Sequence, residues 1–309
     1  MTNRDINDKS CLNSIWTDSI ANNKQPDGKA LLTHLKTVHQ QHTGFTEKCA
    51  SICRDKTGLN SYEWLAEIVP DIDGTRVLDL ACGSGPLLKI LYDRNKKLKL
   101  TGVDISPEEL ALAKTRVSNN NTDLFELKAQ NLSAISDNSL DVVLCHWALT
   151  LMDPVTPVLN EVRRVLSSGG QFAALIDGPM NAAPGYSDIH DLIYGYVQAK
   201  LPNYGEIDLG DPRIRSTDSL SNLVREAFPE ATINVETNVV SMEGPIAEVT
   251  KTAAGFFYAS FVLPQETRKT MLSNLSKLLA ISKQRGELEN QGRFAMPVNR
   301  LVIKNKSTS

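Results

Sequence analysis

The residues most suited to chemistry form one short segment, Val77-Leu-Asp-Leu-Ala-Cys-Gly-Ser-Gly85, with Asp104 nineteen residues further on. Glycines in such a segment let the backbone approach a ligand closely, and a helix beginning behind them offers unpaired N–H donors. A Gly-x-Gly by itself is equally typical of a tight turn. A carboxylate at the end of the next strand, however, can accept both hydroxyls of a ribose. The spacing therefore predicts a nucleotide-type ligand at Gly83, Gly85 and Asp104.

The residues beside the glycines indicate what kind of nucleotide-type ligand the segment would bind. A dinucleotide site uses Gly-x-Gly-x-x-Gly, whose third glycine allows close helix–sheet packing, but Leu88 occupies that position here. Asp79 precedes the glycines, and its carboxylate would repel a pyrophosphate and attract an ammonium group. The pattern favours a ligand that carries a cation where a dinucleotide carries phosphates.

Four segments in chain order resemble the successive motifs of class I S-adenosylmethionine-dependent methyltransferases. They are residues 77–85, 101–106, 141–149 and 161–170, and the likeness covers about residues 60–178. The resemblance implies S-adenosylmethionine as cofactor and a sheet whose last strand is antiparallel.

The resemblance also implies a role for individual residues. It assigns the methionine end of the cofactor to Asp79, Ala81, Cys82, Gly83 and Gly85, the ribose to Asp104, the adenine to Ile105, Gln130, Asn131 and Leu132, and the surroundings of the sulfonium to Cys145 and His146. Many relatives have Asp where Asn131 stands. An amide can still accept a hydrogen bond from the adenine amine.

Methyl transfer from a sulfonium needs mainly alignment in a dry pocket, and a base only if the nucleophile is protonated. His146, at the carboxyl end of a predicted strand, is the candidate catalytic base, the alternative being a residue of the pocket wall. Aromatic residues favour a lid-covered acceptor site or, alternatively, ordinary helix packing. They are Tyr186, Tyr194, Tyr196, Tyr204 and Phe256-Phe-Tyr258.

Histidines and cysteines give no pattern typical of a metal site. His39 and His42 would share a helix face, as two ligands could, but no third ligand stands at a fixed spacing. A solvated polar face is favoured, and these side chains could also reach the substrate. The five cysteines are scattered without CxxC spacing, which argues against disulfides and zinc. Cys49 and Cys53, four apart, are interpreted as reduced core thiols.

The surrounding elements must place these residues at one edge of a sheet. Predicted strands are 76–81, 98–105, 124–129, 140–145, 171–176, 232–242 and 294–304, and predicted helices include 86–91, 107–117, 155–166, 217–228, 246–263 and 265–284. Ser106-Pro-Glu-Glu109 is a capping box, and Ser167-Ser-Gly-Gly170 is expected to close a helix. The alternation predicts an α/β fold, a Rossmann-like seven-stranded, mostly parallel sheet with helices on both faces.

The chain divides into five predicted parts. Residues 1–29 form a polar arm, which could include one docking helix; 30–70 a helical cap; 71–178 the cofactor-binding core; 179–290 an inserted helical lid with a late strand; and 291–309 the final strand and tail. Residues 178–215, rich in glycine and proline, are expected to be a loop or lid.

Composition limits the partners. The 309 residues are 41% hydrophobic and 22% charged, with a net charge of −3, so no basic excess favours nucleic acid. No secretory signal or membrane span is visible, and a cytoplasmic protein with a small-molecule acceptor is expected, a homo-oligomer being left open. The alternatives are a cofactor-binding regulatory protein without turnover, a protein methyltransferase, and, less consistent with Leu88, a nicotinamide-dependent oxidoreductase.

Overall fold

The computed structural model describes residues 14–117, 122–205, 210–281 and 290–306. Within them seven strands form one sheet in the order β3-β2-β1-β4-β5-β7-β6. They are β1 Arg76–Leu80, β2 Lys99–Asp104, β3 Thr122–Glu126, β4 Leu140–His146, β5 Leu166–Asp177, β6 Thr232–Pro245 and β7 Gln291–Lys304. Strands β1 to β5 pair in parallel, and β7 runs antiparallel between β5 and β6. The predicted seven-stranded Rossmann-like fold is confirmed.

Helices cover both faces of this sheet, as predicted. They are α1 Ile15–Ala21, α2 Gly28–Gln41, α3 Phe45–Ala50, α4 Ser61–Ala66, α5 Pro86–Arg94, α6 Pro107–Arg116, α7 Thr156–Val165, α8 Tyr186–Gln198, α9 Thr217–Ala227, α10 Ile246–Gly255 and α11 Gln265–Leu279. Helices α7 and α9 share one apolar layer with alternate residues of β1, β4 and β5. The remaining strand residues share a second layer with α1, α2, α4, α5, α8, α10 and α11. Each large side chain buried in these layers contributes about 1.5–3 kcal/mol.

The N-terminal segment is more firmly attached than a polar arm would be. Trp16 and Ile20 of α1 are fully buried, and the Trp16 ring stacks on His34 with centroids 4.7 Å apart. Residues 14–21 therefore form the docking helix that the sequence allowed. Residues 1–13 lie outside the described part of the chain.

Three local predictions need correction. The expected loop at 178–215 contains helix α8, because its apolar residues Ile189, Ile193 and Val197 face the core. Residues 167–170 do not close a helix but belong to β5, where the pairing with β4 shifts register. The predicted helix 246–263 ends at Gly255 and is followed by a separate short 3₁₀ turn, Tyr258–Phe261.

None of the helices described for this chain is long and apolar enough to cross a bilayer.

Candidate active site

A cavity of about 820 Å³ lies at the carboxyl ends of the parallel strands. Asp79, Asp104, His146 and Asp177, each at or next to the end of its strand, all line it. Open α/β sheets bind ligands at this edge. The volume lies near the upper end of the usual range for ligand pockets, about 300–1,000 Å³, so a cofactor and a second small molecule can fit together.

The glycine segment turns sharply at the end of β1 and is held by the neighbouring strand. Ala81 and Gly83 adopt positive φ angles of 59° and 52°, a strained conformation for Ala81 that is typical of functional sites. The N–H of Gly83 donates to Asp104 Oδ2 at 2.8 Å, and the N–H of Ser106 donates to Oδ1 at 2.9 Å. These bonds fix the Asp104 carboxylate at the cavity wall, while burial raises its pKa.

Asp79 is the most unusual charge in the site. It is only 1% exposed, it lines the cavity, and neither carboxylate oxygen has a hydrogen-bond partner among the described residues. Burial, with a smaller contribution from Asp104, raises its pKa to about 8. A buried carboxylate without a donor is costly. An ammonium group of a ligand bound in the cavity would compensate the Asp79 carboxylate.

His146 is held from two sides at the end of β4. Its Nε2 lies 2.9 Å from Ser61 Oγ, and its ring stacks on Tyr62 with centroids 3.7 Å apart and an interplanar angle of 17°. Burial lowers the pKa of His146 to about 3, so the imidazole is neutral at physiological pH. This environment orients the ring firmly but makes it a weak base.

The N-terminal helices close one side of the cavity through buried polar contacts. His39 Nδ1 lies 3.2 Å from Glu109 Oε1, and its Nε2 lies 3.0 Å from the Tyr258 hydroxyl. Ser84 of the glycine segment donates to Glu47 Oε2 at 2.6 Å. His39 is thus engaged between a carboxylate and a phenol, while His42 packs its ring on Phe261.

A second set of lining residues is largely aromatic, and we call the part of the cavity that it lines the aromatic half. Tyr186 of α8 stacks on Phe257 with ring centroids 5.8 Å apart. Trp147 and Phe256 pack edge to face with ring centroids 5.5 Å apart. Further lining residues of this half include Leu151, Met180, His190, Tyr194, Tyr204, Ile214 and Arg215. Of the predicted aromatic residues, Tyr196 does not line the cavity, and its hydroxyl accepts a hydrogen bond from Asn274.

The structure brings most of the predicted site residues together. Those that line the cavity are Asp79, Ala81, Cys82, Gly83, Asp104, Ile105, Gln130 and His146. They come from the ends of β1, β2 and β4 and from the segment after β3, and we call the part of the cavity that they line the cofactor half.

Four predicted residues lie elsewhere. A Cβ at Gly85 would meet Ala113 Cβ at 3.0 Å, so this glycine serves packing of α5 on α6. Asn131 is exposed, and its Oδ1 accepts the N–H of Ser133. Leu132 is fully buried. Cys145 is buried in the layer beneath the opposite face of the sheet, since alternate strand residues point to opposite faces.

Several lining residues were not predicted. Glu47, Tyr62, Glu109 and Asp177 all face the cavity. A signal existed for Asp177, because it ends a strand in the same way as Asp104 and at the same edge. No sequence signal connects Tyr62 with His146, because 84 residues separate them.

The fold, and the residues at the carboxyl ends of its strands, are typical of α/β proteins that bind a nucleotide-type ligand. Asp79, next to the glycines, is an acid suited to a cationic group of that ligand. Residues 78–174 match a family model described as a methyltransferase domain. The matched segment runs from β1 into β5 and includes Asp79, Gly83, Asp104 and His146.

Individual relatives match part of the chain. The chain is 29% identical over 136 residues to the ubiquinone/menaquinone biosynthesis C-methyltransferase UbiE of Desulfotalea psychrophila. This match covers 44% of this chain and 53% of that protein. The chain is 30% identical over 137 residues to a demethylmenaquinone methyltransferase of Listeria monocytogenes, covering 43% and 56%. The match spans about half the length of these curated relatives. The crystal structure of YcgJ from Bacillus subtilis shares the fold, with a TM-score of 0.54, 13% identity and coverage of 80% and 99%.

Proposed function

We propose that the protein transfers a methyl group from S-adenosylmethionine to a small-molecule acceptor bound in the aromatic half of the cavity. The observation that carries this proposal is Asp79, a buried carboxyl group at the cavity wall that receives no hydrogen bond from the residues that the structure describes. A methionine moiety presents an ammonium group, which is the missing partner. A pyrophosphate at the same place would face an uncompensated like charge.

Different residues of the cofactor half would bind different parts of S-adenosylmethionine. Asp79 would hold the amino group, and the backbone of Ala81, Cys82 and Gly83 would approach the methionine chain closely. Asp104 retains unused lone pairs beside its two backbone bonds and would accept the ribose hydroxyls. Ile105 and Gln130 would pack on and bind the adenine. S-adenosylmethionine supplies an electrophilic methyl group when bound.

His146 would act mainly by position. Its ring is fixed between Ser61 and Tyr62 at the junction of the two halves of the cavity, where it can orient an acceptor and exclude water. A pKa of about 3 leaves little capacity to remove a proton. Alignment in a dry cavity supplies much of the rate of such a displacement.

The acceptor does not follow from the relatives. Their names concern menaquinone and ubiquinone biosynthesis, whereas Asp177, Tyr186, Tyr194 and Phe257 lie outside the part that matches the family model. Quinone precursors therefore belong on the panel of acceptors as one class among several. A protein acceptor is less suited to a cavity than to an open surface.

Calorimetric titration tests the proposal directly. S-adenosylhomocysteine should bind more tightly than NAD, and Asp79→Asn should remove this binding while Asp123→Asn, an exposed change on β3, should not. Release of S-adenosylhomocysteine from S-adenosylmethionine with an acceptor panel then reports turnover. Binding without turnover on any acceptor would instead favour a regulatory cofactor-binding protein, and tighter binding of NAD would overturn the assignment of the cofactor.

The cytoplasmic location and the oligomeric state stay predictions. Cell fractionation and light scattering test them.

A further inference from the structure

The acceptor half of the cavity combines one carboxylate with several aromatic rings. We define the acceptor chamber by six residues: Trp147, Asp177, Tyr186, Tyr194, Phe256 and Phe257. They come from the ends of β4 and β5 and from α8 and the end of α10. Four different elements thus place an acid and five rings around the same volume.

Asp177 is held at the wall of this chamber by one bond. The indole N–H of Trp147 donates to Asp177 Oδ1 at 3.1 Å. No other side-chain hydrogen bond to Asp177 is present in the described ranges of the chain. Trp147 itself has a positive φ of 55°, a costly conformation for an aromatic residue. The strained turn aims the indole at the carboxylate and leaves Oδ2 for a ligand.

Two charged side chains, Asp177 and Arg215, line the same cavity as these rings. Burial raises the pKa of Tyr186, Tyr194 and Tyr204. Asp177 adds to this effect at Tyr186, and Arg215 opposes it at Tyr204. His190 Nδ1 lies 3.2 Å from Asp191 Oδ1.

These neighbours affect the charge of Asp177 itself. The Asp177 side chain is accessible from the cavity. Desolvation by the surrounding protein raises its pKa, but the Trp147 hydrogen bond, Arg215 and His190 each oppose this and favour the carboxylate. Tyr186, at 7% exposed, and Phe257 present stacked rings beside it. A carboxylate among aromatic faces is the chemistry that recognises an organic cation, because the ring faces carry negative potential.

We propose that the methyl acceptor is an amine, held with its nitrogen in this chamber between Asp177 and the aromatic rings. The inference rests on the proposed function. The nitrogen lone pair forms the new N–C bond while the S–C bond of the cofactor breaks, so the positive charge passes from sulfur to nitrogen. Asp177 and the rings then stabilise the charge where it develops. The acceptor reacts as the free amine, and a proton that it carries in solution is released to water before the step. No protein base is then needed, which agrees with the weak basicity of His146.

The test uses a matched pair of probes, phenyltrimethylammonium and its uncharged carbon isostere tert-butylbenzene. Titrated into the full chain loaded with S-adenosylhomocysteine, the cation should bind at least about tenfold more tightly, because the isostere makes neither the cation–π nor the charge interaction. Asp177→Asn, which keeps the acceptor for Trp147, should remove most of this preference. Phe257→Leu should weaken the cation selectively, and Asp188→Asn on the exposed side of α8 should change nothing.

Two results would overturn the inference. One is equal binding of cation and isostere by the wild-type chain. The other is methylation of phenols or hydroxynaphthoquinones with no turnover of any amine. Failure of S-adenosylhomocysteine to bind would refute the proposed function instead, and titration of the cation into the cofactor-free chain would still report on the chamber.

Discussion

The side chains of His39 and Glu109 meet with Nδ1 and Oε1 3.2 Å apart, although 70 residues separate them in sequence. The same Glu109 oxygen accepts the N–H of Gly44 at 3.0 Å, and the other nitrogen of His39 reaches the Tyr258 hydroxyl. The Glu109 carboxylate, at the start of α6, thus binds the N-terminal segment directly and the inserted segment through His39 and Tyr258. These contacts hold both segments at the cofactor half of the cavity.

Replacing Glu109 by Gln should loosen this closure. The amide keeps the volume but loses the charge-assisted bond to His39, and a disturbed buried polar contact costs about 1–3 kcal/mol. We expect the dissociation constant for S-adenosylhomocysteine to rise about tenfold by titration calorimetry, the ratio that 1.4 kcal/mol gives. Thr33→Ala, at an exposed position of α2 whose hydroxyl bonds only within that helix, is the matched control. Equal affinities for the wild type and Glu109→Gln would show that the contact is only structural.

Asp79 should make the free protein less stable at alkaline pH. Its pKa in the folded protein, about 8, lies above the ordinary value of 3.8, so the folded state binds the proton more tightly than the unfolded chain. The free energy of unfolding therefore falls as pH rises from about 4 to 8 because of this group. Asp79→Asn should unfold at a higher temperature than the wild type at pH 8 and show a smaller difference at pH 5.

Binding of S-adenosylhomocysteine should reverse the destabilising effect of Asp79. In the wild type, S-adenosylhomocysteine should raise the unfolding temperature, because its ammonium group compensates the carboxylate. The Asp79→Asn protein should show no such rise. Thermal unfolding monitored by circular dichroism measures both effects, and a variant less stable than the wild type at pH 8 would contradict the account.

The sequence was informative where one local pattern decides the structure. Short apolar runs predicted the parallel strands, and the acids at their ends, Asp79 and Asp104, followed from the spacing. Helix α8 could not be predicted, because the surrounding glycines and prolines are typical of loops and only burial of Ile193 and its neighbours favours a helix. The closure by His39 and Glu109 joins distant segments, and no single-sequence pattern contains that information.

His34 should make the docking of α1 sensitive to acid. Its ring is buried against Trp16, its Nδ1 lies 3.0 Å from Ser14 Oγ, and burial lowers its pKa from 6.5 to about 4. Between these values the unfolded chain binds more protons than the folded protein, so stability falls as pH falls from 6.5 to 4. The loss attributable to this group is up to about 3 kcal/mol, at 1.36 kcal/mol per pKa unit.

The variant His34→Gln isolates this contribution, since glutamine does not titrate. Urea unfolding at intervals from pH 4.5 to 7 should give a smaller pH slope for the variant than for the wild type. Part of the slope should remain, because the pKa of His146 is also lowered by burial. Identical slopes in both proteins would exclude His34 as a source of acid sensitivity.

The two glycines of the loop should respond differently to the same substitution. Both have positive φ, so alanine introduces backbone strain of roughly 1–3 kcal/mol at either position. At Gly85 the added methyl would also lie 3.0 Å from Ala113 Cβ and 3.2 Å from its Cα. Gly85→Ala should therefore lower the unfolding temperature more than Gly83→Ala, because the helices α5 and α6 must move apart.

At Gly83 the methyl would meet only Glu109 Oε2, at 4.0 Å, and would lie at the wall of the cavity. Gly83→Ala should therefore cost more free energy of S-adenosylhomocysteine binding than free energy of unfolding. Gly85→Ala should show the reverse, with the larger loss in the free energy of unfolding. Calorimetric titration and thermal unfolding of the two variants separate these effects. The opposite ranking would mean that Gly85, rather than Gly83, is the glycine whose backbone approaches the cofactor.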